Sequence, residues 1–222
     1  MDADNLTRFA IRKMSEHKIS ARHLDESDEI VIFGSRSAGL ERPNSDIDIL
    51  CIGRSGQKLK TASLDLIVVH PDEVQKANWL GNELASHIAR YGTWMKGNPE
   101  WVKDVRIGSA AVDAKQRRIA AFLRALPARW ENFDDSFRQK YTTKLRREPQ
   151  RLLLLARGIA IPPTRVLDES WSTFSIANRE VEERVVGSMR PGESRFRRDL
   201  LDKIMTALDD QKAVPIPFQA PR

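Results

Sequence analysis

Residues 33–53 read FGSRSAGLERPNSDIDILCIG, and this stretch decides how the N-terminal half of the chain folds. It joins the end of one apolar run, Ile30 to Phe33, to a second apolar run, Ile47 to Ile52. A third apolar run extends from Leu64 to Val69. Short apolar runs bounded by turn residues are typical of buried β-strands. The sequence therefore predicts a small β-sheet in this half of the chain.

Acidic residues lie inside or beside two of these predicted strands. Side chains at positions i and i+2 of a strand point to the same face, so Asp46 and Asp48 project together. Asp65 lies between two leucines and projects away from them. Neighbouring carboxylates repel one another unless a cation lies between them, and Mg²⁺ prefers oxygen ligands of this kind. These three residues are therefore predicted to bind two Mg²⁺ ions, with Mn²⁺ as an alternative.

The Gly-Ser turn before the carboxylates predicts a phosphate site. Gly34 has no side chain, so a phosphate can approach the backbone there, and Ser35 offers a hydroxyl and an amide. Residues 35–41 are predicted to form a short helix whose N-terminus favours an anion. Arg36 is predicted to add a guanidinium group to the same phosphates. A triphosphate beside two metal ions is the arrangement that nucleotidyl transfer requires.

Each part of this pattern also has an ordinary structural interpretation. A Gly-Ser pair after a strand is commonly only a turn, and an Asp-x-Asp sequence is often a solvated strand face. A single acidic residue such as Asp65 can protect an edge strand from aggregation. The functional interpretation depends on the whole pattern, because its parts occur together, in order, and on apolar strands.

The pattern resembles the signature of the polymerase β-like nucleotidyltransferase superfamily, which has a Gly-Ser pair, an Asp-x-Asp and a later acidic residue. The wording GSRSAG and SDIDIL is similar to the bacterial minimal nucleotidyltransferases of toxin–antitoxin pairs. The resemblance covers residues 28–92. It implies a mixed sheet flanked by helices, Mg²⁺, and transfer of a nucleoside monophosphate from an NTP such as ATP. Residues 53–63 depart from the family, because a loop is predicted where many members carry a helix.

The remaining sequence predicts an α+β fold in which this mixed-sheet nucleotidyltransferase domain is followed by an all-helical C-terminal domain. We expect the catalytic domain at residues 1–97, the helical domain at 98–212 and a Pro-rich tail at 213–222. The domain boundary is predicted at the Gly-Asn-Pro turn of residues 97–99. Apolar periodicity predicts helices over residues 73–92, 111–126, 128–147, 150–158, 176–187 and 192–210.

The composition indicates in which cellular compartment the protein is expected. The only cysteine is Cys51, which excludes an internal disulfide. No apolar stretch approaches the ~20 residues that a membrane-spanning helix needs. The N-terminus MDADNLTRF is acidic and polar, unlike a signal peptide. We therefore expect a reduced, cytoplasmic protein that does not contact membranes.

Positive charge is concentrated directly after the predicted catalytic domain. Residues 101–157 carry 14 Lys and Arg against 6 Asp and Glu, although the whole chain has a net charge of only +6. Such a surface attracts polyanions. Within it, Lys140, Lys144 and Arg147 follow the i, i+4, i+7 spacing of one helix face. They are predicted to bind the triphosphate or an acceptor phosphate, and a solvated helix face is the competing interpretation.

The acceptor is the least determined part of the predicted reaction. The basic block favours an RNA 3′ end, especially that of a tRNA, modified by the toxin of a toxin–antitoxin pair. The resemblance also leaves open adenylylation of a partner protein, with a cognate toxin or antitoxin as partner. An aminoglycoside is disfavoured, because a polycation needs an acidic pocket. A non-catalytic binding protein that keeps the fold is a further alternative, and the intact set of three acids argues against it.

Overall fold

The computed structural model describes residues 3–17, 19, 22–54, 57–125 and 132–169 of the 222-residue chain. The chain divides into two compact units: Met1–Ala111 with Gly158–Arg165, and Val112–Arg157 with Val166–Arg222. The turn at residues 97–99, predicted as the domain boundary, lies inside the first unit. The reason is that Trp101, which follows the turn, is 1% exposed and belongs to a core cluster of this unit.

A five-stranded sheet forms the centre of the first unit. Its strands are β1 (Ser27–Phe33), β2 (Ile47–Gly53), β3 (Gln57–Lys60), β4 (Leu64–Val69) and β5 (Thr93–Lys96). They lie in the spatial order β3-β4-β2-β1-β5. The pair β2–β4 is parallel and the other three pairs are antiparallel. The predicted mixed sheet is confirmed.

Helices of the first unit supply the rest of its two cores. They are α1 (Ala3–Glu16), α2 (Arg22–Asp25), α3 (Gly34–Ser37), α4 (Pro71–Val74), α5 (Ala77–Leu80), α6 (Glu83–Tyr91) and a 3-10 helix (Glu100–Asp104). Leu6, Ala10 and Met14 of α1 cluster with one set of strand residues, whereas the other set clusters with α4, α6 and the 3-10 helix. Because Leu50 belongs to the second set, its i−2 neighbour Asp48 lies on that same face.

The predicted local structure of the first unit needs two corrections. The segment 53–63, predicted as a loop, contains strand β3, which pairs with β4 at the edge of the sheet. The predicted helix over residues 73–92 is three short helices. Asn82 starts the last of them, because its side chain accepts a hydrogen bond from the backbone N–H of Ala85 at 2.7 Å. Strand β5, which follows Gly92, was not predicted.

The second unit contains α8 (Asp135–Ala156) and all but the first three residues of α7 (Ser109–Ala125). Residues 164–169, which cross the second unit boundary, are also helical. The predicted break near residues 146–149 is wrong, because α8 continues through Pro149. Proline inside a helix removes one hydrogen bond and costs about 3 kcal/mol. The four leucines that follow, Leu152–Leu155, are buried and offset this cost.

Some predictions lie outside the described residues. These are the helices over 176–187 and 192–210 and the tail at 213–222. Among the helices that the structure does describe, none has the length and apolar character needed to cross a membrane.

Candidate active site

The carboxylates of Asp48 and Asp65 come together because their strands are parallel and in register. The β2–β4 pairing places these two residues directly opposite each other. Paired residues of neighbouring strands project to the same face of a sheet. Asp46 precedes β2 by one residue and lies two positions before Asp48. The structure therefore places all three predicted acids at one end of the β2–β4 pair.

Burial and charge repulsion both raise the pKa of the central acid, Asp48. Burial, the largest effect, and the nearby Asp46 and Asp65 raise the pKa of Asp48 from its ordinary value of 3.8 to about 7. Lys60 acts in the opposite direction and lowers this pKa. The site therefore holds more negative charge than its surroundings neutralise, which favours a bound cation.

Gly34 makes room for one of these carboxylates. Its φ angle is +77°, a conformation that side chains disfavour. A Cβ atom at this position would lie 2.1 Å from Oδ2 of Asp48, a distance that atoms cannot adopt. Phe33, the residue before it, pairs with Asp48 in the β1–β2 ladder. The turn backbone and the Asp48 carboxylate are thus in direct contact.

The turn itself is held by its neighbours. Helix α3 has four residues, shorter than the predicted 35–41, and Phe33 at its N-cap supplies no side-chain hydrogen bond. Ser37 donates a hydrogen bond to the carbonyl oxygen of Tyr91 at 2.5 Å and its hydroxyl lies 2.8 Å from that of Thr93. Ser35 is half-buried. Phosphate binding by Gly34 and Ser35 stays a prediction.

Arg36 contacts the backbone before β2 and the ring of Phe9, which the sequence did not predict. Its Nε donates to the carbonyl oxygen of Asp46 at 3.1 Å, and its Nη2 donates to that of Ser45 at 2.6 Å. The guanidinium carbon is 4.2 Å from the centre of the Phe9 ring, and the residue is 8% exposed. Its donors therefore hold the backbone before β2, and its contact with a phosphate stays a prediction.

Lys60 is a site residue that the sequence did not reveal. Its Nζ lies 2.5 Å from Oδ2 of Asp65, with the lysine side chain 61% exposed and the aspartate side chain 13% exposed. The second oxygen, Oδ1 of Asp65, is buried and has no hydrogen-bond partner within the part of the chain that the structure describes. The sequence pattern that could have revealed Lys60 is the alternating Lys-Leu-Lys of residues 58–60. It indicates a strand that ends five residues before Asp65.

The donor atoms suit a hard cation, although they are not arranged around one. Among the residues that the structure describes, no three His, Cys, Asp or Glu side chains form a group that could hold a metal ion. One oxygen of Asp65 is turned to the ammonium group of Lys60, which supplies positive charge at this place. Carboxylate oxygens, one of them buried and without a partner among the described residues, are ligands of the kind that Mg²⁺ binds.

The basic residues predicted on α8 are used in different ways. Arg147 forms a two-point ion pair with Asp168, through Nε at 2.7 Å and Nη2 at 2.9 Å. Lys144 lies with its Nζ 5.3 Å from the centre of the Phe122 ring, and Lys140 is exposed. Arg147 thus has a partner within its own unit, and phosphate binding by these three residues stays a prediction.

Comparison with known proteins gives a family match and several structural neighbours, including the following two. Residues 14–89 match the family model of the nucleotidyltransferase domain. No curated protein matches the chain. Spectinomycin adenyltransferase AAD(9) from Enterococcus faecialis, solved with ATP and spectinomycin, is 15% identical with a TM-score of 0.47 over 90% of this chain and 99% of that chain. A nucleotidyltransferase-like protein from Exiguobacterium sibiricum 255-15 is 16% identical with a TM-score of 0.34, over 95% and 76% respectively.

Proposed function

We propose that this chain, a nucleotidyltransferase whose residues 14–89 belong to the nucleotidyltransferase domain family, transfers a nucleoside monophosphate to an RNA 3′ end such as that of a tRNA. The observation that carries the transferase chemistry is the in-register pair of Asp48 and Asp65, with the Gly34 backbone against the Asp48 carboxylate. An acidic pair beside a side-chain-free turn suits a triphosphate with its metal ions.

Each residue of the site has a role in this reaction. Asp46, Asp48 and Asp65 would hold Mg²⁺, or Mn²⁺ in its place, and when bound the metal supplies Lewis-acid stabilisation of phosphate charge. The backbone at Gly34 and Ser35 binds the β and γ phosphates. The acceptor hydroxyl oxygen forms a bond to the α phosphorus, and the bond from that phosphorus to the β-phosphate oxygen breaks to release pyrophosphate.

The proton of the acceptor hydroxyl passes to Asp65 in this proposal. A general base must be able to accept a hydrogen bond from the group that it deprotonates. The buried Oδ1 of Asp65 supports the assignment, since it has no partner among the described residues. Arg36 contributes indirectly as a positioning residue, because it holds the backbone carbonyl of Asp46 and thereby the start of β2.

An RNA acceptor is supported by the charge of the second unit. Arg118, Lys140 and Lys144 are exposed residues of α7 and α8, and we refer to them as the basic surface. Partial burial, the largest effect, and the positive charge of Arg118 lower the pKa of Lys144, and Lys140 acts in the same direction. Like charges so close together are stabilised by a polyanion. In the cell we propose a cytoplasmic toxin that acts on RNA and pairs with a cognate antitoxin.

The acceptor class is decided by following radioactive label. Purified protein is incubated with each α-labelled NTP, Mg²⁺ and either total RNA, RNA-free cell protein or spectinomycin, and Asp48→Asn serves as the inactive control. We expect label in RNA that RNase removes. Label that stays on a polypeptide after RNase treatment would replace RNA by protein adenylylation, and label on spectinomycin alone would indicate a small-molecule acceptor.

Contact between the basic surface and RNA is tested by charge removal. Changing Arg118, Lys140 and Lys144 together to Gln should weaken RNA binding and leave NTP binding unchanged. Each lost phosphate contact lowers the slope of log affinity against log salt by about 0.7 to 0.9. The matched control changes three exposed cations of the first unit to Gln: Arg12, Lys76 and Lys103. An equal effect of both triple variants would show only a response to net charge.

A further inference from the structure

Lys60 is placed to act on the carboxylate cluster as a cation. It is the last residue of β3, and the β3–β4 register pairs it with Asp65. We propose that the ammonium group of Lys60 holds the Asp65 side of the cluster while no divalent cation is bound there, so that Lys60 and the cation compete for Asp65. This inference rests on the proposed function, because the metal site is the one assigned to the reaction.

The ammonium group lies at the acidic end of the β2–β4 pair. Its Nζ is 2.5 Å from Oδ2 of Asp65, and Asp65 lies directly opposite Asp48 in the β2–β4 register. Asp46 precedes Asp48 by two positions. A single lysine therefore partly neutralises the negative charge of three carboxyl groups. A bound metal ion would neutralise the same charge.

Lys60 can leave this position without disturbing the sheet. Its side chain is 61% exposed and ends in a flexible four-carbon stem on an edge strand. Asp65 cannot follow it, because its side chain is 13% exposed on a strand with a neighbour on each side. When Lys60 moves into solvent, Oδ2 of Asp65 loses its partner, and Oδ1 already has none among the described residues. A hard cation satisfies those oxygens better than water-exposed ammonium does.

Metal binding without nucleotide tests the competition. Mn²⁺ is titrated into the full-length protein and free Mn²⁺ is measured by electron paramagnetic resonance. Lys60→Met should bind Mn²⁺ about tenfold more tightly than the wild type, because one competing charge is removed. Lys60→Arg keeps the charge and should bind close to the wild type. Lys76→Met is the matched control, since it breaks a lysine–carboxylate pair, with Glu73, outside the carboxylate cluster.

A second measurement uses the wild-type protein. Mass spectrometry after brief acetylation reports how accessible each lysine amine is. Adding Mn²⁺ or Mg²⁺ should speed the acetylation of Lys60 by about threefold or more, because the ammonium group leaves its ion pair, and should leave Lys76 unchanged. This measurement stands even if Lys60→Met fails to fold.

The outcomes separate this inference from the proposed function. Lys60 does not compete with the cation if Lys60→Met binds Mn²⁺ with the same affinity as the wild type or more weakly, or if the metal does not change the rate of Lys60 acetylation. In each of these cases the proposed metal site is unaffected. If neither protein binds Mn²⁺, with or without NTP, both the competition and the metal-dependent reaction are wrong. Tighter binding by Lys60→Met that disappears when Asp48→Asn is added supports both.

Discussion

The acidic end of the β2–β4 pair and the basic face of α8 were both predicted from residue spacing, and the structure treats them differently. Asp48 and Asp65 remain together, held by the pairing of two buried strands. Arg147, on α8, has instead turned to Asp168, 21 residues further along the chain. A sheet register fixes the direction of a side chain from two sides, whereas a helix surface only suggests which side chains are neighbours.

Side-chain length adds to this difference. An aspartate carboxylate is two bonds from the backbone, so the position of the strand nearly determines where its oxygens lie. Arginine and lysine have long flexible stems and reach whichever partner lies nearest. Arg36 shows the same behaviour within the first unit, because it reaches the backbone of Ser45 and Asp46. Predictions from spacing are thus stronger for short acidic residues on strands.

The largest expected effect is that of Asp48→Asn on catalysis. Removing this carboxylate takes away a predicted metal ligand, and we expect nucleotidyl transfer to fall by about 10³-fold or more. The folded protein should be as stable as the wild type or more stable, because a repulsive charge has been removed. Label transfer and a thermal melt measure the two effects. A stable variant with wild-type transfer would contradict the catalytic role of the acidic end.

The pH dependence of stability tests the combined effect of burial and charge repulsion on Asp48 without metal. The folded protein raises the pKa of Asp48 from 3.8 to about 7, so folded Asp48 binds its proton more tightly than unfolded Asp48. Unfolding therefore releases a proton between these pH values, and the free energy of unfolding decreases as pH rises through this window. The full loss attributable to this group is on the order of 4 kcal/mol.

The control for that experiment is Asp48→Asn, which cannot titrate. Urea unfolding from pH 4 to pH 7.5 in the presence of a chelator should show a decline for the wild type that this variant lacks. Saturating Mg²⁺ should flatten the wild-type curve above pH 6, because bound cation stabilises the ionised carboxylate. Parallel curves for the two proteins would mean that neither burial nor the neighbouring charges raise the pKa of Asp48.

Gly34→Ala should have the next largest effect. The new Cβ would meet Oδ2 of Asp48 and the residue would keep a φ of +77°, so we expect a loss of about 2 to 4 kcal/mol in unfolding free energy and loss of transfer activity. Gly39→Ala is the matched control. Its φ is +66°, with nothing within 4 Å of the added carbon, so it reports backbone strain of about 1 kcal/mol.

The comparison of the two glycines can fail in an informative way. Equal losses of stability in Gly34→Ala and Gly39→Ala would assign the whole effect to the backbone conformation. The contact between the turn and the Asp48 carboxylate would then contribute nothing to the free energy of unfolding. A larger loss for Gly34→Ala that Asp48→Ala partly reverses would establish the contact directly, as in a double-mutant cycle.

Most of the first unit follows from its sequence, because three apolar strands and their turn lie close together in the chain. The sequence did not reveal β3, since a two-lysine strand at a sheet edge is short and polar. Lys60 was missed for the same reason. The location of Arg36 depends on Phe9 of α1, a residue 27 positions away. No local pattern can predict such a contact between a helix and a turn.

The smallest expected effect is the difference in stability between Arg147→Met and Lys140→Met, two substitutions on α8. Arg147→Met leaves the partly buried carboxylate of Asp168, 25% exposed, without its two-point partner, so we expect a loss of about 1 to 2 kcal/mol in unfolding free energy. Lys140→Met changes an exposed side chain and should alter stability by less than about 0.5 kcal/mol. The stability of both variants is measured by urea unfolding, and their affinities for NTP and RNA are measured in parallel. The contrary result is an Arg147→Met variant that is as stable as Lys140→Met and binds NTP or RNA more weakly than the wild type. That result would show that Arg147 binds phosphate groups. Residue spacing would then predict function as well on the helix as on the strands.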